Sequence, residues 1–78
     1  MSGKKEKFLS EIDSDTKVRL VSIDGGAGLC QRMAAMGLVP GSIFEVMRNG
    51  HPGPFVVRIK QSKVVLGRGM AGKILVEV

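Results

Sequence analysis

Tryptophan and tyrosine are absent from this 78-residue chain, and Phe8, Phe44 and Phe55 are its only aromatic residues. It holds one cysteine, Cys30, and one histidine, His51. A lone cysteine excludes an internal disulfide framework and any zinc motif that needs two thiolates. Without a disulfide staple, the reducing cytoplasm is the expected compartment. No apolar run approaches the roughly 20 residues that cross a bilayer. After Lys4, Lys5 and Lys7 only Phe8 and Leu9 are apolar before Ser10 and Glu11, so no secretory signal is read there. Acidic residues are in the minority, 7 against 12 Lys+Arg, which leaves a net charge of +5. Such an excess suits phosphate neutralisation on nucleic acid. Small barrels that bind single strands also stack bases on aromatic rings, however, and this chain has almost none to offer. A solvated basic surface is the simpler expectation.

What is present fits one small domain. A chain this short buries only about 60% of its unfolded surface, so it needs a compact plan with short connections. Residues 1–7 carry Lys4, Lys5 and Lys7 against Glu6 and read as a flexible basic tail; residues 8–78 read as the domain. Asp13-Ser14-Asp15 is a turn cluster, and Lys17 to Ile23 alternates as a strand with Val18 and Leu20 on one face. After the break at Asp24–Gly28, Leu29, Met33 and Met36 form one stripe of a short helix. Gly37 is placed to end that helix in the left-handed conformation, and Pro40-Gly41 prevents its continuation. Strands then follow at Ile43–Arg48, Phe55–Lys60, Lys63–Leu66 and Lys73–Val78, separated by the Asn49–Pro54 loop, a Gln61-Ser62 turn and the glycine-rich Gly67–Gly72 break. About five strands with one short α-helix after the first predict an all-β fold, a small barrel closed to remove its sheet edges.

Motifs for chemistry are sparse. Gly67-Arg68-Gly69-Met70-Ala71-Gly72-Lys73 satisfies the glycine spacing of a phosphate loop, but the required helix cannot follow and Ile74 replaces the hydroxyl that would ligate magnesium. Those glycines predict a sharp barrel corner instead. Gly26-Ala27-Gly28 is a weaker echo of a dinucleotide loop, and the parallel sheet such a site needs does not fit this length. Cys30 and His51 fall short of the three or four ligands of a zinc-type centre. Met33 and Met36 are explained by packing on the helix stripe. Glu11, Asp13, Asp15, Asp24 and Glu45 fall in turns or on outward strand positions and form no acid–base pair. No catalytic, cofactor-binding or metal residue is therefore assigned, and no enzyme activity is expected. Arg32, alone in charge among Leu29, Cys30, Met33, Ala34 and Ala35, is read either as a solvated rim residue or as a charged anchor in a partner contact.

The run Leu29 to Ser42 resembles the central signature of the FeoA family. There an Arg-apolar pair leads to an apolar-Gly-apolar-x-Pro-Gly turn, matched here by Arg32-Met33 and then Met36-Gly37-Leu38-Val39-Pro40-Gly41. Leu66, Ala71, Ile74 and Val76 fit the family's closing strand pattern. Gln61-Ser62 and Met33 depart from it where glycine and leucine are commoner. The resemblance implies an SH3-like β-barrel and a cytoplasmic, non-enzymatic accessory of bacterial ferrous-iron uptake. The implied partner is FeoB, a membrane permease with a cytoplasmic GTP-binding domain, which such a module would dock on and modulate. Similar domains end iron-dependent repressors as regulatory appendages. The expected docking face is Arg32, Met36, Leu38, Val39 and Pro40. The alternatives are a nucleic-acid-binding barrel using Lys17, Arg19, Arg58 and Lys60, and a metal-responsive regulatory domain using Cys30 or His51. Self-association through Phe44 or the last strand stays open.

Overall fold

The computed structural model describes residues 5–50 and 53–78. Its elements run β1 (Glu6–Phe8), a 3₁₀ turn (Leu9–Glu11), β2 (Thr16–Ile23), α1 (Ala27–Ala35), β3 (Ile43–Asn49), β4 (Phe55–Ile59), β5 (Ser62–Leu66), α2 (Arg68–Ala71) and β6 (Ile74–Glu77). The strands form one antiparallel sheet in the order β1-β6-β2-β3-β4-β5. Period-two alternation sends Val18 and Leu20 of β2, Phe44 and Val46 of β3, Phe55, Val57 and Ile59 of β4, and Ile74 and Val76 of β6 into one core. Leu9, Ile12, Met33, Leu38, Leu66 and Ala71 complete it. Register shifts between Leu20 and Ser22, and between Val46 and Arg48, add one residue to each of the long strands. Such bulges bend and twist a strand, and two of them roll the sheet around its core. This is the SH3-like all-β architecture, with α1 after the first long strand.

Several details differ from the sequence reading. Glu6 and Lys7, assigned to a tail, belong to β1, where Glu6 faces Glu77 and Lys7 faces Val76. Backbone pairing with the edge of β6 outweighs their charge. The Gly67–Gly72 break is a helical turn, α2, in which Met70 N–H donates to Gly67 O (3.1 Å) and Ala71 N–H to the same oxygen (3.0 Å). Self-association is not offered by the two features named for it. Phe44 is only 3% exposed, and β6 is an inner strand held between β1 and β2. Arg19 pairs with Glu77 across β2 and β6, its Nε donating at 2.9 Å, and Arg58 pairs with Glu45 across β4 and β3. Two of the four cations considered for nucleic acid are thus already neutralised. His51, weighed as a metal ligand, lies outside the described residues.

Candidate functional site: a rigid turn beside an apolar groove

Helix α1 ends in a Schellman arrangement. Gly37 takes φ +92°, its N–H donates to Ala34 O (2.9 Å), and Leu38 N–H donates to Met33 O (2.9 Å). The hydrophobic contact that accompanies this motif joins residues at the positions of Met33 and Leu38, and both are fully buried here. Val39-Pro40-Gly41-Ser42 follows as a tight turn. Proline stands second, Gly41 takes φ +95° in third place, and Ser42 N–H donates to Val39 O at 2.9 Å. This is the residue order a type II turn requires. The Ser42 hydroxyl accepts from Val39 N–H (3.2 Å) and donates to Gly37 O (3.0 Å). Gly41 N–H donates to Leu20 O and Leu20 N–H to Ser42 O, both at 2.8 Å, so the turn is stitched to β2.

The turn holds Val39 and Pro40 at the lip of a groove of about 320 Å³. Its lining is Ile23 from the end of β2, Cys30, Gln31 and Ala34 from α1, and Leu38, Val39 and Pro40. None of the described residues lining it is charged. Val39 is 44% exposed, a large apolar side chain left in water at a rigid site. Cys30 and Ala34 are one helical turn apart, and their small side chains leave the space that makes the groove.

Of the five residues expected to dock, Leu38, Val39 and Pro40 line one groove, and Arg32 and Met36 do not. Val39 and Pro40 stand at the groove. Leu38 is withdrawn from solvent as its floor, because the helix cap points it onto Met33. Met36 is half-buried against the core, and Arg32 is exposed on the other flank of α1. Ile23, Cys30, Gln31 and Ala34 were missed, although the helix stripe Leu29/Met33/Met36 already implied that positions 30 and 34 face elsewhere. Among the described residues no group of three or more His, Cys, Asp or Glu could hold a metal ion. Cys30 is half-buried in the groove wall, and among the described residues lining the groove there is no other His, Cys, Asp or Glu. No described helix is long and apolar enough to cross a membrane.

Comparison with known proteins takes in this segment together with nearly all of the chain. Residues 8–78 match the family model of the FeoA domain. The chain belongs to the FeoA family. It is 43% identical over 61 residues to the "Putative Fe(2+) transport protein A" of Methanocaldococcus jannaschii, covering 78% of this chain and 73% of that one. It superposes on a crystal structure of the iron uptake regulatory protein FeoA with a TM-score of 0.85 at 32% identity, covering 95% of this chain and 100% of that one. A manganese-dependent transcriptional repressor is similar with a TM-score of 0.82 at 20% identity, over 97% of this chain and 43% of the repressor. That last likeness is one of fold alone. Gly37, Pro40 and Gly41, on which the sequence resemblance to this family rests, build the cap and the turn.

Proposed function

We propose that this FeoA-family chain is a non-enzymatic accessory of ferrous-iron uptake that docks on the cytoplasmic domain of the permease FeoB and modulates it. The observation that carries the reading is the stitched turn presenting Val39 and Pro40 beside an uncharged groove. Exposed apolar side chains on a preorganised backbone are what a binding hot spot uses, since little entropy is lost when the partner arrives. The side chains available for chemistry support a binding role. Glu45 and Glu77 are engaged by arginines, and the groove offers no acid, base or paired nucleophile. The fold shared with a manganese-dependent transcriptional repressor supports a second reading, a metal-responsive regulatory domain.

Docking is tested by NMR titration of the labelled chain with the FeoB cytoplasmic domain. Shifts are expected at Ile23, Cys30, Gln31, Ala34, Val39 and Pro40 neighbours, with β4 and β5 unmoved. A response without shifts in residues 23–42 removes the proposed face, and no response favours the regulatory reading.

A further inference from the structure

A second cleft lies on the opposite flank of α1. At about 100° per residue, Cys30, Gln31 and Ala34 fall to one side of the buried Met33, whereas Leu29 and Arg32 fall to the other. There Leu29 and Arg32 meet Gly69 and Met70 of α2, and Lys73 beyond it, around a cleft of about 390 Å³. That volume lies within the roughly 300–1,000 Å³ typical of clefts that hold a ligand.

The charge around this cleft is unlike that of the sheet. Arg19 and Arg58 are each matched by a glutamate across the strands. The cleft that holds Lys17, Arg58 and Lys60 also contains Glu45, and the one that holds Lys17 and Arg19 contains Glu77. Among the described residues lining their cleft, Arg32 and Lys73 meet no carboxylate, and neither makes an ion pair with another described residue. Between them Leu29 and Met70 are half-buried against the core and expose apolar surface, and methionine adapts to varied partners.

We infer that this cleft receives an acidic segment of a partner protein, with carboxylates on Arg32 and Lys73 and an aliphatic side chain between them on Leu29 and Met70. The charge complementarity selects an anion, and the apolar floor selects a chain that carries carbon beside its charge. Among the described residues no aromatic side chain lines the cleft to stack a nucleobase. Its concave shape suits an inserted side chain better than the flat surface of a membrane. This site is separate from the Val39–Pro40 groove, goes beyond the docking reading and stands without it.

The test uses the full chain and a fluorescein-labelled peptide of four Glu-Leu-Asp repeats, followed by anisotropy at low salt. Arg32→Gln with Lys73→Gln is compared with Lys17→Gln with Lys60→Gln, which removes the same charge from the sheet. All four residues are exposed, so both double variants are expected to keep the wild-type melting temperature. Loss of the two cleft cations weakens binding about five- to thirtyfold, and loss of the two sheet cations changes it less than about twofold. Amide shifts on peptide addition fall at residues 29–32 and 69–73. Equal weakening by both pairs overturns the site in favour of net charge alone. No peptide binding by the wild-type chain overturns it too, as does capture by phosphatidylglycerol vesicles that leaves the peptide unbound.

Discussion

Phe55→Ala is expected to remove a large share of the domain's stability and bring its melting temperature down toward body temperature. Phe55 is fully buried on β4, between Asn49 of β3 and Leu66 of β5 in the ladder. Truncating such a ring removes apolar burial and leaves a cavity that the rolled sheet cannot collapse into, a loss of about 3–5 kcal/mol. A domain of this size has only about 4–12 kcal/mol in total. The melting temperature should fall by some 12–40 °C, because each kcal/mol moves a small domain by about 4–8 °C. Val65→Ala is the matched control. Val65 is 68% exposed on the neighbouring strand, and its loss should cost less than about 0.5 kcal/mol. Urea unfolding followed by circular dichroism measures both. Equal costs would mean that the core does not run through β4 as described.

Asn49→Ala is the second large loss, of about 2–4 kcal/mol, and it acts through polar contacts. The Asn49 amide nitrogen donates to Ser10 O (3.2 Å) and Ile12 O (2.8 Å), and its carbonyl oxygen accepts from Arg68 Nη2 (2.6 Å). Arg68 also donates to Gly50 O. One side chain therefore joins the segment after β1, the end of β3 and helix α2. Removing it leaves two carbonyls and part of a guanidinium without their partners. Hydrogen exchange should report faster opening at Leu9–Ile12 and Arg68–Gly72, with β2 to β4 protected as before. Because both residues belong to one network, the costs of Asn49→Ala and Arg68→Ala should not add in the double variant. Additive losses would show that the bridge does not couple these elements.

Legibility in the sequence followed the length and regularity of each element. Val18/Leu20 and Phe55/Val57/Ile59 show period two over enough residues to name both the strand and its inward face. The stripe Leu29/Met33/Met36 shows the helix, although α1 begins two residues earlier, at Ala27. Gly37 and Pro40-Gly41 carry their own chemistry, so the cap and the turn could be placed before any coordinates. β1 has three residues, none of them buried, and is a strand only because β6 offers it hydrogen bonds. α2 has four residues and two flanking glycines, too short for any period to appear.

The site was legible in part for the same reasons. Leu38-Val39-Pro40 is a continuous apolar run, and composition alone does not say which member turns inward. The Schellman rule does say so, since the residue after Gly37 packs back onto Met33; applied to Leu38, it places that residue at the floor of the groove and leaves Val39 and Pro40 at the lip. Arg32 and Ala34 are two residues apart on a helix and therefore on different flanks. Which flank meets the turn depends on how α1 lies against β2, and that is decided by the fold. The sequence reading places Asn49 only at the start of the Asn49–Pro54 loop. Its long-range partners at Ser10, Ile12 and Arg68 leave no local trace in the sequence.

The central claim is that the Val39–Pro40 turn and its groove are where the chain meets FeoB. Calorimetric titration of the FeoB cytoplasmic domain with the wild-type chain and with Val39→Asp tests it most directly. Val39 is exposed, so the variant should fold, while a carboxylate placed at the apolar lip should weaken binding about tenfold or more. Binding by Val39→Asp as tight as that of the wild-type chain would contradict the account.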